Sequence, residues 1–232
     1  MANHGKNART YINGYDLTTY LKSFSVIQSA DVVDVSAFNQ ESKTYIVGLR
    51  DGTISAEGFF AGSTLETDYV FNQTLASTSI WTYYPNRSGV GQPGYGIKTD
   101  QTSYEIMSPV DGAVGVTVAG QATLGVDNII SHIAFQTRAS SGVGTAYDNL
   151  VATTGGILTY LQLDGITGGI TVTVNIQHSS AGTSWATVQT FASSVRTAQR
   201  ASTGTNIKRY TRTSWTFSGA GTAAFNTGVK RL

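Results

Sequence analysis

The sequence predicts a mainly β protein: a sandwich or barrel-like domain flanked by one helix, followed by a second β-sandwich. Three observations carry that expectation. Apolar and polar residues alternate with period two in several short runs. Asn-Gly and Asp-Gly dipeptides, which suit tight hairpin turns, punctuate those runs. A single segment carries helical signals.

In chain order, Ile54, Ala56, Gly58 and Phe60 alternate with Thr53, Ser55, Glu57 and Phe59. Val114, Val116 and Val118 alternate with Ala113, Gly115 and Thr117. Ile157, Leu161 and Leu163 share a face with Thr159. Ile170, Val172, Val174 and Ile176 alternate with Thr171, Thr173, Asn175 and Gln177, and Ile207 to Phe217 ends with Trp215 and Phe217 on one face. The dipeptides Asn13-Gly14, Asp51-Gly52, Asp111-Gly112 and Asp164-Gly165 are expected to supply the positive φ of type I′ hairpins. The helix is placed at about Thr64 to Ala76. There Ser63 and Glu66 form the S-x-x-E pattern of a capping box, and Leu65/Tyr69 and Phe71/Leu75 lie four apart. Ser88 to Gly96 reads as a loop. A boundary near Gly125–Asn128 gives an N-terminal domain, 1–126, and a basic β domain, 127–232.

Composition narrows the function classes. The chain has 232 residues, enough for a sizeable core, and no Cys, which excludes disulfides and thiolate metal sites. The start, MANHGKNART, lacks an apolar core, so no secretory signal is expected. No run approaches the ~18 apolar residues of a membrane span, so no membrane partner is expected. Only 12% of residues are charged, against roughly 25% in ordinary domains. A Thr-rich surface of that kind suits a β protein covered by neighbours, or simply a sandwich with a Thr-rich exterior. Charge is also divided. Beyond Asp164 there are no acids, and Arg196, Arg200, Lys208, Arg209, Arg212, Lys230 and Arg231 give +7. The total of +1 therefore leaves −6 for the preceding part. Such asymmetry points to a partner or to contact between opposite ends of neighbouring copies.

The motifs of catalysis and cofactor binding are absent or incomplete. Gly89-Val90-Gly91-Gln92-Pro93-Gly94 fits G-x-G-x-x-G, but Pro93 spoils the helix a dinucleotide needs. The three histidines are His4, in the polar terminus, His132 between Ile130 and Ile133, and His178 at a strand end. No G-x-S-x-G elbow presents a serine to them, and Asp31 and Asp34 lack the Gly and Glu of a calcium loop. Neither enzyme activity nor a cofactor is expected.

Residues 9–125 resemble the tail tube proteins of long-tailed bacteriophages. Gly14-Tyr15-Asp16-Leu17-Thr18, Asp34-Val35-Ser36-Ala37-Phe38 and Gly48-Leu49-Arg50-Asp51-Gly52-Thr53-Ile54-Ser55 follow that family's motifs in order, and Tyr104 to Val118 fits its closing strands. The resemblance implies a tail-tube-like β-sandwich or barrel with one flanking helix. It also implies copies joined into rings, usually of six, that stack into a hollow conduit. The implied subunit-contact loop is Asn39, Gln40, Glu41, Ser42, Lys43, Thr44 and Tyr45. The implied lumen face carries Thr53, Ser55 and Glu57. Partners would be the chain itself and other tail proteins, with DNA as transient lumen cargo. The place would be the virion, assembled in the host bacterial cytoplasm. The seven basic residues are the candidate surface for a neighbour's acidic half. In the second half, Ile176-Gln177-His178-Ser179 and Gly182-Thr183-Ser184-Trp185 resemble a segment of small sandwiches appended to virion proteins. A capsid decoration protein, and a virion-surface carbohydrate-binding module using Trp185, Tyr210 and Trp215, are the alternative readings; a core place for the two Trp residues is the preferred expectation, since large aromatics are usually highly buried.

Overall fold

The structure, a computed structural model, describes residues 5–38 and 41–232. His4, Asn39 and Gln40 fall outside them. The order begins with β1 (Arg9–Ile12), β2 (Tyr15–Asp16), β3 (Leu21–Asp34), β4 (Tyr45–Phe59) and the helix α1 (Thr67–Thr74). Then follow β5 (Thr78–Tyr84), β6 (Pro93–Met107), β7 (Gly115–Arg138), β8 (Gly142–Val143) and β9 (Tyr147–Asp148). The last are β10 (Ile157–Asp164), β11 (Val172–Ser179), β12 (Ala186–Ser193), β13 (Thr197–Thr203), β14 (Tyr210–Phe217) and β15 (Ala223–Arg231). The fold is mainly β, with antiparallel sheets in a sandwich-like arrangement.

The chain forms two compact units that are not consecutive stretches. One comprises residues 1–19, 80–96 and 127–232, and the other residues 20–79 and 97–126. The expected 126/127 boundary is one of the crossings. Residues 1–19 and 80–96 group with the C-terminal segment because their strands are sewn to each other and to it. Thr10 pairs with Tyr83 and Ile12 with Trp81, while the Gly14 N–H donates to Gln162 Oε1 at 2.7 Å.

The discontinuous unit is a sandwich. In one sheet β10 lies between β13 and β15, and β15 pairs with the Ile130–Arg138 part of β7. The other sheet runs β12-β11-β14-β8, with β9 also on β14. Between them Leu161, Leu163 and Phe225 pack on Val172, Val174 and Phe191, with Trp215 and Phe217 at the margin. β11 shows the expected alternation of buried and half-exposed residues. β10 does not alternate: every residue from Ile157 to Leu163 is buried, so Thr159 and Gln162 are enclosed too. Asn13 (φ 49°) and Gly14 (φ 87°) form the β1–β2 turn with the positive φ a type I′ hairpin needs.

The second unit carries β3, β4, α1 and the Gly115–Val126 part of β7. Ile54, Ala56, Val70, Phe71, Val116 and Val118 are buried in it. β4 pairs with β7 from Thr53↔Gln121 to Phe59↔Gly115. The helix starts later than the sequence predicts. Leu65 has a positive φ of 79°, which breaks helical continuity, so Glu66 becomes the N-cap. Half of the capping box survives: the Ser63 N–H donates to Glu66 Oε2 at 2.9 Å. Asp51-Gly52 is not a turn. It lies inside β4, with Asp51 opposite Ser29 and Gly52 opposite Gln28. Gly52 serves close packing, since a Cβ there would meet Val126 Cγ2 at 2.6 Å. Of the other two dipeptides, only Gly165 has positive φ, at 59°.

Candidate assembly surface

The β3–β4 hairpin extends beyond its own sheet. At its base, Ile54, Ala56 and Gly58 point inward and are buried, while Ser55 and Glu57 are exposed and Thr53 is half-buried. Past Gly52 every described residue, from Ile27 to Phe38 and from Glu41 to Asp51, is exposed. This distal part is a two-stranded arm in register Val32↔Val47, Val33↔Ile46 and Asp34↔Tyr45. β3 pairs with β4 alone, so its outer edge has no further strand. At ~3.4 Å per residue, the eight residues Ile27 to Asp34 project roughly 25 Å.

The arm is apolar on both faces. Ile27, Val32, Val33, Ile46 and Val47 are each more than half exposed, and Leu49 is 81% exposed. Adjacent apolar residues on a strand place one side chain on each face. Val32-Val33 and Ile46-Val47 therefore demand cover on both sides. Contiguous exposed apolar surface of this kind marks an interaction site, and an open edge is a template for pairing. At the tip, Val35 donates its N–H to Thr44 O at 2.9 Å and Thr44 donates its own to Ser36 Oγ at 2.9 Å. Asp34 accepts from the Ser36 hydroxyl and N–H, which holds its carboxyl below the usual range, and Lys43 stands 3.5 Å away.

Of the expected contact loop, Glu41, Ser42, Lys43 and Thr44 sit exposed at this tip, Tyr45 opens β4, and Asn39 and Gln40 lie outside the described residues. The expected lumen residues Thr53, Ser55 and Glu57 share one face of β4. Their cross-strand neighbours are Ile27, Ser25 and Ser23 on one side and Gln121, Ala119 and Thr117 on the other. Glu57 also lies 3.7 Å from Lys22. The face is mainly polar, with the exposed Ile27 at its arm end. The apolar arm next to it escaped the sequence reading, although the adjacent Val-Val and Ile-Val pairs were the signal for it.

The seven basic residues do not form one free surface. Arg196 pairs with Asp164 and stacks 4.3 Å over Tyr15. Arg209 forks onto Asp148 at 2.8 and 2.6 Å, drawing that carboxyl down to about 2. Arg200 at 3.2 Å and Lys230 at 2.8 Å share Asp127, which also accepts from Tyr160 Oη at 2.6 Å. Arg212 donates to Gln177 and lies 4.2 Å over the Trp185 ring. Arg231 donates to Asn149 O at 3.4 Å. Lys208 is exposed.

The remaining candidates have structural surroundings. His132 is fully buried in β7, with Nε2 3.2 Å from Thr211 Oγ1, and burial pushes it down to about 4. His178 accepts the Lys208 N–H at Nδ1, and burial lowers it as well. Trp215 donates to Ser140 O and packs edge-on against Phe225, as a core-margin residue does. Trp185 is half-exposed beneath the Arg212 guanidinium. Gly91 lies in a loop that leads directly into β6 at Pro93, so no helix N-terminus faces it.

No protein-family model matches the sequence, and no curated protein matches it. Several solved structures are similar to this chain. A chain of the virion of a native gene transfer agent matches with a TM-score of 0.46 at 17% identity, over 55% of this chain and 98% of that one. A chain of the tail of an empty gene transfer agent particle, refined with C6 symmetry, matches with a TM-score of 0.42 at 17% identity and the same coverage. The SPP1 Dit protein, a hub adsorption component of phages infecting Gram-positive bacteria, matches with a TM-score of 0.36 at 12% identity over 97% of this chain and 99% of that one.

Proposed function

We propose that this chain is a structural subunit of a phage-type tail tube, in which copies join into rings through the β3–β4 arm and rings stack around a conduit. The observation that carries the reading is the arm, a hairpin with apolar side chains exposed on both faces and an open edge. A second copy is a fitting occupant, because a contact between two different patches of identical chains closes into a ring when the rotation allows it. Thr53, Ser55 and Glu57, with Ser23, Ser25 and Thr117 beside them, suit a lumen along which DNA slides without sticking. Lys208 and Arg212, which face no carboxylate among the described residues, are the bases we assign to a neighbour's acidic surface in stacking.

Purified protein at high concentration tests this by light scattering and electron microscopy. Rings and hollow tubes are expected. The double variant Val32→Asp, Val47→Asp should keep the melting temperature, since both positions are exposed, and should remain monomeric. Raising NaCl should shorten tubes while leaving rings, because screening acts on exposed charges over ~8–10 Å. Wild-type protein that never assembles or coats capsids instead, or a double variant that still polymerises, would overturn the reading.

A further inference from the structure

In the discontinuous unit a cleft of about 390 Å³ opens between the β7 and β15 strands on one side and the Tyr147–Leu150 segment on the other. Five side-chain polar atoms among the described residues are buried without a hydrogen-bond partner, and two of them, His132 Nδ1 and Arg231 Nε, belong to residues lining this cleft. The other two charged residues of the lining are paired. Asp148 is forked by Arg209, and Lys230 is held by Asp127. Asn149 Nδ2 donates to Arg209 O at 2.8 Å and to Thr211 Oγ1 at 2.9 Å. Asn149 takes one lone pair of Thr211 Oγ1, and the other lone pair and the hydroxyl hydrogen fit either tautomer of His132, whose Nε2 lies at 3.2 Å; with the ring proton on Nδ1, the hydroxyl donates to Nε2. His132 and Arg231 then both offer an N–H, and the Arg231 guanidinium meets no carboxylate among the described residues. At the rim Leu150 is 74% exposed and held at a positive φ of 68° by its N–H bond to Asp148 Oδ1. Such strain persists only where the surroundings fix it, and it often marks ligand clamps.

We propose that this cleft is a carboxylate-binding site, with Arg231 and His132 as the donors and the Tyr147 ring as an apolar wall. An arginine that meets no carboxylate among the described residues and two N–H donors match a monoanion, and planar guanidinium suits a carboxylate. The volume is in the range of small-ligand pockets, enough for a sugar acid as well as a simple acid. The proposal is independent of assembly, since none of these residues lies on the arm.

The test is titration of the full chain with sodium acetate, sodium glucuronate and glucose at constant ionic strength, followed by calorimetry and by the imidazole NMR signals of His132. Saturable binding of the acids without glucose binding, accompanied by a His132 shift, is expected. Arg231→Gln should weaken it by at least about tenfold. Arg231→Lys, which keeps the charge but loses the fork, should fall between and serves if the first variant melts early. Glucuronate binding tighter than acetate assigns the site to sugar acids, and equal affinities assign it to simple carboxylates; both support the site. No acid binding, glucose binding as strong as glucuronate, an unmoved His132, or full affinity in a folded Arg231 variant overturns it.

Discussion

Asp127 holds Tyr160, Arg200 and Lys230 through one carboxylate whose side chain is 8% exposed. Its partners lie 33, 73 and 103 residues further along the chain. None of them was legible from the sequence, where Asp127-Asn128 read only as a boundary; local patterning carries no information about contacts at such separations. Asp127→Asn keeps the shape but leaves two cations without their anion. Breaking a fully buried pair costs ~3–5 kcal/mol; with the cations 21% and 30% exposed, about 2–3 kcal/mol is expected here. Urea unfolding measures this, and a loss below about 0.5 kcal/mol would show that the network is not an anchor.

At the scale of elements, two identical-looking turn signals had different fates. Asn13-Gly14 makes the β1–β2 turn, whereas Asp51-Gly52 runs straight through β4. The difference is tertiary. β3 continues opposite Gly52 and supplies its pairing partner, so the dipeptide has no chain reversal to make. The helix was legible from Ser63 and Glu66, and its late start was not, because nothing in the residue type marks Leu65 for positive φ. Strand existence followed from period-two patterning. The burial of both faces of β10 did not, since Gln162, on the face opposite Ile157, Thr159, Leu161 and Leu163, looks like a solvent-facing position. Gly14→Ala should be costly. The left-handed backbone alone disfavours a side chain by ~1–2 kcal/mol, and the new Cβ would stand 2.5 Å from Leu163 O. A melting temperature unchanged in that variant would contradict the turn.

The molecule as a whole should lose stability on acidification in two stages. His132 is held down to about 4 by burial, against 6.5 for the free side chain. Below pH 6.5 the unfolded chain takes up a proton that the folded state refuses, so stability falls until about pH 4, by about 3 kcal/mol in total. Asp34, Glu66 and Asp148 are all lowered by hydrogen bonds, so their contributions are present at neutral pH and fade below about pH 4. Burial lowers His178 too, so urea midpoints measured between pH 7 and 4 should slope in the wild type and slope less in His132→Gln, His178 supplying the remainder. Equal slopes would remove His132 as the cause. Of the candidate assembly surface, the sequence reading named residues at the hairpin tip and along one face of β4. It missed the apolar arm, because exposure belongs to the folded chain and Val-Val reads the same whether covered or bare.

The interleaving of the two units also orders events during synthesis. The unit bearing the arm needs nothing beyond residue 126, whereas the sandwich needs β15, which begins at Ala223. The bond from Gly14 to Gln162 closes a separation of 148 residues. A ribosome therefore releases a finished arm unit roughly a hundred codons before the sandwich can close, or about 5–20 s at ordinary elongation rates. Throughout that interval the nascent chain displays its apolar arm while Gly14 waits for Gln162, so neighbouring chains on one message are expected to meet arm first.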